Sequence, residues 1–114
     1  MDILHIQKGN PASLNVTITD AAGTALDLTG RTVFFTVKRK NDYSDDDEDA
    51  VITKTVTSHS DPTAGKTVIS LTATQTDVDR GVYKADIRVY GRGLQRNTEQ
   101  FYVEIIEVIT IRTT

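Results

Sequence analysis

The chain has 114 residues, the length of one domain, with a formal net charge of -3, no cysteine and no tryptophan. Without cysteine there is no disulfide and no thiolate metal site. The acidic balance speaks against nucleic acid or an anionic membrane as partner, since both need a basic face. The opening residues lack the basic stretch and apolar run of a secretory signal. No apolar run approaches the ~20 residues that span a bilayer. A soluble single domain over residues 1–114 is expected, and its threonine-rich, aromatic-poor composition leans towards strands.

In chain order, residues 3–7 read as a short first strand. Gly9, Asn10 and Pro11 interrupt it, and proline cannot donate to a ladder, so an edge or a bend falls there. Residues 13–19 alternate, with Leu14, Val16 and Ile18 inward. Residues 20–23 make a turn in which Gly23 is free to take a positive φ. Leu26 and Leu28 flank a bend that ends at Thr29 and Gly30, and they close one end of a core. Residues 32–39 form the next strand, with Val33, Phe35 and Val37 on one face and Phe34, Thr36 and Lys38 on the other. Phe35 is the candidate for the central bulky residue. Residues 41–49 are a polar, acidic loop. Residues 51–58 resume a strand whose weak phase, Ile52 and Val56 around Lys54, suggests an edge. Residues 59–65 are a loop rich in breakers. Residues 67–71 are a strand with Ile69 and Leu71 inward, and residues 72–78 link onwards with one helical turn.

The clearest pattern follows. Tyr83, Ala85, Ile87 and Val89 take every second position, with Lys84, Asp86 and Arg88 between them. A period of two is a strand with one apolar and one charged face. Gly91, Arg92 and Gly93 mark a hairpin. One last strand is expected from about Arg96 to Thr110, with Phe101, Val103 and Ile105 in phase. The phase flips between Ile105 and Ile106, and Val108 continues the new register, so a bulge is expected there. Seven strands, regular turns and no long helix together predict an all-β antiparallel sandwich.

The chemistry-bearing residues do not converge. Asp45, Asp46, Asp47, Glu48 and Asp49 offer oxygen ligands for Ca²⁺. Counted from Asp45, however, the sixth position of an EF-hand is Ala50 instead of Gly, and the twelfth is Val56 instead of Glu. A solvated acidic loop is the expectation. Gly65, Lys66 and Thr67 look like the end of a phosphate loop, but Ser60 stands where the first glycine belongs and a strand follows instead of a helix. His5 and His59 are the only imidazoles, neither in a metal spacing, and both are expected as ordinary surface histidines. No Gly-x-Ser-x-Gly elbow occurs. Asn15, Val16 and Thr17 fit a glycosylation acceptor that goes unused without a secretory signal. No catalytic, cofactor-binding or metal-ligating residue is assigned, and no cofactor is expected. Residues 105–111 are apolar on both strand faces. Either a bulge turns part of them into the core, or the segment docks another chain.

Asp79, Gly81 and Tyr83 stand in a spacing that resembles the tyrosine corner of immunoglobulin-like sandwiches, where the tyrosine hydroxyl bonds to backbone a few residues upstream. Ala85 occupies the place of the antibody-type cysteine. Further elements are Ile6-Gln7-Lys8-Gly9-Asn10, the run from Leu14 to Gly23, the run from Leu26 to Lys38, Leu71-Thr72 with Thr76, Gly81 to Ile87, and the closing Val103 to Thr110. With these, nearly the whole chain resembles the immunoglobulin-like modules of tailed-phage upper-baseplate and tail-associated structural proteins, the acidic insert at 45–49 being a departure. The resemblance implies an immunoglobulin-like antiparallel β-sandwich of about seven strands. It also implies a non-enzymatic virion protein of tail or baseplate, made in the bacterial host cytoplasm, with other virion proteins or further copies of itself as partners. The alternative is a carbohydrate- or cell-surface-binding module, for which Tyr43, Tyr90 and Tyr102 are the candidate aromatics.

Overall fold

Alternation of apolar side chains is realised as eight strands in a computed structural model that describes residues 3–20, 22–41, 50–98 and 100–107. They are β1 (Ile3–Gln7), β2 (Ala12–Thr17), β3 (Thr32–Arg39), β4 (Ile52–Val56), β5 (Lys66–Leu71), β6 (Gly81–Gly91), β7 (Leu94–Asn97) and β8 (Phe101–Ile106). One sheet runs β1-β8-β6-β3-β4, with β7 also paired to β6; the other holds β2 and β5. The chain is therefore an all-β sandwich.

Its core is the set of residues in phase. Val33, Phe35 and Val37 of β3 and Tyr83, Ala85, Ile87 and Val89 of β6 are buried, facing Ile69 and Leu71 of β5 and Ile18 beyond β2. Phe35 holds the centre, its ring 6.3 Å from that of Phe101. Leu28 is fully buried and closes one end, as its place in the bend suggests, while Leu26 packs against the core from outside. β4 is an edge strand, with Ile52 and Val56 inward.

Three details depart from the sequence reading. The large sheet is mixed, because β1 pairs parallel to β8, from Ile3 opposite Tyr102 to Gln7 opposite Ile106. A parallel pair needs a long crossover, and here the whole domain between the two strands supplies it. Secondly, the expected last strand is broken into β7 and β8. Both pair with β6, but Asn97 lies opposite Arg88 and Ile105 opposite Gly81, so one extra residue is accommodated between them. That is the bulge, and it falls between β7 and β8 instead of at Ile105–Ile106. Thr98 makes it workable: its N–H donates to Ile87 O (2.8 Å), and its hydroxyl accepts from Ile87 N (3.1 Å). Counted as one interrupted strand, β7 and β8 restore the expected seven. Thirdly, Ile105 points inward and Ile106 outward in an uninterrupted strand. Residues 108–111 lie outside the described residues.

Local chemistry accounts for the connections. Asp20 Oδ1 accepts from Ala22 N (2.9 Å) and Thr24 N (3.0 Å), and Gly23 takes φ +82°. Arg92 and Gly93 both have positive φ, the signature of a type I′ hairpin between β6 and β7. The helical turn α1 (Ala73–Thr76) carries a capping box: Thr72 Oγ1 accepts from Gln75 N (3.2 Å) and Gln75 Oε1 from Thr72 N (2.9 Å).

The tyrosine corner forms. Tyr83 is 7 % exposed, and its hydroxyl donates to Asp79 O at 2.6 Å. The bond fixes the chain where it enters β6. Replacing Tyr83 by Phe leaves that carbonyl short of one partner and is expected to cost about 1 kcal/mol, read as a lower urea midpoint at unchanged m-value.

Candidate functional site: clamps, faces and edges

The residues singled out for chemistry are kept apart by the fold. His5 and Glu104 face each other across the β1–β8 pair, with Nε2 3.0 Å from Oε1 on the exposed side of the sheet. His59 is not an ordinary surface residue. Its Nε2 lies 2.7 Å from Arg31 O and its Nδ1 2.9 Å from Thr67 Oγ1. A carbonyl only accepts, so Nε2 carries a proton and donates to it. The ring is a strut between the bend before β3 and the start of β5, with both nitrogens occupied and no carboxylate to orient it for catalysis. Gly65 closes a 3₁₀ turn (Pro62–Ala64) at φ +72° and leads into β5. An added Cβ there would collide with the Ile18 carbonyl and come within 3.0 Å of Leu26 O. Close packing of backbone against backbone explains this glycine without a phosphate.

The acidic run at 45–49 and Tyr43 lie outside the described residues. Among the described residues no group of three or more His, Cys, Asp or Glu side chains is placed to hold a metal ion. No described helix is long and apolar enough to cross a membrane. Tyr90 and Tyr102 share one sheet face but stand about 20 Å apart along β6, since Tyr102 lies opposite Lys84, six residues before Tyr90. They do not form a common platform.

One end of the sandwich is held by a polar clamp that sequence reading saw only as a bend and a hairpin. Arg31 Nη1 donates to Asp27 O (2.8 Å) and Arg31 Nε to Gly91 O (3.3 Å). Arg92 Nη1 donates to Thr29 O (3.0 Å). Asp27 Oδ1 accepts from Thr29 N (2.9 Å). Hydrogen bonds from the Thr29 side chain and backbone hold the Asp27 carboxyl below its ordinary value, with weaker help from Arg92 and Arg31.

The outer face of the large sheet spans β1, β8, β6, β3 and β4. Alternation along β6 puts Val82, Lys84, Asp86, Arg88 and Tyr90 on it. Phe34 stands opposite Arg88, and Ile3 opposite Tyr102. Among the described residues, the large hydrophobic side chains that are exposed are Ile3 (46 %), Val82 (37 %) and Tyr90 (53 %). All three lie on this face. Arg88 Nε is buried there with no hydrogen-bond partner, the one such side-chain nitrogen or oxygen among the described residues. Asn97 Nδ2 donates to Asp86 Oδ2 (2.8 Å) beside it, so the neighbouring carboxylate is already engaged.

The features add up to a β-sandwich module with a packed core, a clamped end, and a sheet face that carries exposed apolar side chains. Comparison with known families agrees. The family model of the BppU N-terminal domain matches residues 4–112, and the chain belongs to that family. Membership makes it a phage baseplate module and a component of the virion. A search of the curated proteins found no match.

The clamp makes the fold sensitive to acid in a defined sense. A carboxyl whose folded pKa is depressed contributes stability fully above its unfolded value of about 3.9 and loses it as pH falls through the folded value. Asp27→Asn is therefore expected to be less stable than the native chain at neutral pH. The difference should shrink as pH is lowered below about 4, measured as melting temperatures of the two proteins over that range.

Proposed function

We propose that the domain is a non-enzymatic structural protein of a phage tail baseplate that works by docking other virion proteins through the outer face of its large sheet. The family match over residues 4–112 carries the reading. The face supports it, because apolar side chains at Ile3, Val82 and Tyr90 favour burial against a partner. Arg88 stands on the same face, opposite Phe34, and adds a guanidinium, a group that pairs with a carboxylate or carbonyl of a partner. The immunoglobulin-like character of the sandwich belongs to the same reading: the tyrosine corner and the pairing of the first strand with the last are what such a module presents. On a symmetric particle, repeated copies turn modest individual contacts into avid attachment.

Co-sedimentation of the purified protein with assembled phage particles tests the reading. The native protein is expected to sediment with the particle. Arg88→Ala and Tyr90→Ala are expected to bind about tenfold more weakly, with melting temperatures near the native value. A native protein that stays in the supernatant sinks the proposal, and binding of the isolated protein on a glycan array favours the carbohydrate alternative.

A further inference from the structure

The two sheets are unequal in width. Among the described residues the path β1-β8-β6-β3-β4 is faced by β2 and β5 alone, and β5 sits beside β4. β8 and β1 therefore overhang β2 by roughly two strands, at about 4.8 Å each. Towards Ile6 the overhang is closed, because residues 8–11 cross there from one sheet to the other. Gly9 N donates to Thr76 O (3.3 Å) and Thr76 Oγ1 to Asn10 O (2.8 Å), which anchors the crossing. Towards Ile3 it is open. A cleft of about 340 Å³ remains, with Leu4 and Phe101 on one wall, Leu14 and Val16 on the other, and Phe35 and Ile69 in its floor.

Both strands that border the cleft are sheet edges among the described residues: β1 pairs with β8 alone and β2 with β5 alone. Edge strands are ordinarily blunted by lysine, other charges, proline or a bulge. β2, with the sequence Ala-Ser-Leu-Asn-Val-Thr, contains none of these, and in β1 His5 is the single titratable side chain. Ile18 N donates to Gly65 O (2.8 Å). Antiparallel alternation then turns the peptide groups of Leu14 and Val16 towards β5 and those of Ser13, Asn15 and Thr17 towards the open edge.

We infer that the cleft receives one extended, uncharged segment of another baseplate protein, which pairs with the free edge of β2. Its apolar side chains, at alternate positions, fill the space between Leu4 and Val16. This rests on the docking reading above and names the chemistry of one partner segment. Main-chain bonds to β2 supply affinity, and the cleft selects the side chains. Charged side chains are disfavoured, since the lining offers them no counter-charge. A small polar ligand is disfavoured as well, since Asn15 is the one polar residue in the lining.

Hydrogen exchange of the whole protein, free and bound to assembled phage particles, tests the inference together with two variants. The Asn15 amide is expected to exchange freely in the isolated protein and at least about tenfold more slowly on the particle. Leu4→Trp fills the cleft from within, and Asn15→Pro removes the edge donor without touching the β2–β5 ladder. Each is expected to keep the native circular-dichroism spectrum and to bind particles about tenfold more weakly. Native protein that co-sediments while its Asn15 amide still exchanges freely overturns the cleft and leaves the docking reading standing. So does a folded Leu4→Trp that binds as well as the native protein. Absence of co-sedimentation overturns both. Protection of the same amide by self-association of the free protein would place a second copy there and overturn the assignment to a different protein.

Discussion

The eight-residue antiparallel pairing of β3 with β6, from Thr32 opposite Tyr90 to Arg39 opposite Tyr83, is the constraint on which the rest of the domain depends. It sets Val33, Phe35 and Val37 beside Val89, Ile87 and Ala85 on one face. A slip of one residue would move the three of the slipped strand to the other face. Every other element is positioned against this pair: β4 and β8 extend it on either side, and β2 and β5 cover its apolar face. The corner at Tyr83 and the hairpin at Arg92 and Gly93 hold the two ends of β6, where register would be lost first.

The same pair divides the molecule into a buried inner face and a solvent-facing outer one. Inward side chains satisfy one another in a closely packed core. Outward ones, Arg88 and Tyr90 among them, are left with contacts that the chain does not complete. A structural protein of a particle needs little more than this. Its sheets offer a face and, at β1 and β2, two edges among the described residues. The unequal width of the two sheets adds a recess between those edges, which a complete sandwich would have filled with a strand of its own.

The polar network around Asp27, Arg31 and Arg92 shows how a bend becomes a structural joint. Asp27 and Arg92 are exposed and Arg31 is half-buried, and none would be notable alone. Together they tie the segment before β3 to the β6–β7 hairpin, some sixty residues away in the chain. His59 does the same between Arg31 and Thr67. These ties hold the loops at one end of the sandwich in place without a disulfide.

The chain's own pattern determined the strands and their inward faces. A period of two at Tyr83, Ala85, Ile87 and Val89 admits one backbone geometry, and the Gly23 and Gly93 turns and the spacing from Asp79 to Tyr83 are equally local. Nearly all of β3, β5, β6 and α1 was legible for that reason, as was the likeness to baseplate modules. Tertiary structure alone decided which strands are neighbours, because pairing depends on residues far apart in sequence. The parallel partnership of β1 and β8 and the bulge at Thr98 are of this kind; the bulge shows only as a one-unit change in register against β6. The strut role of His59, the orphan donor on Arg88 and the recess beside β2 are of this kind too. Each is a relation between surfaces that meet only after the sheets have packed, and one-dimensional periodicity carries no record of which surfaces those are.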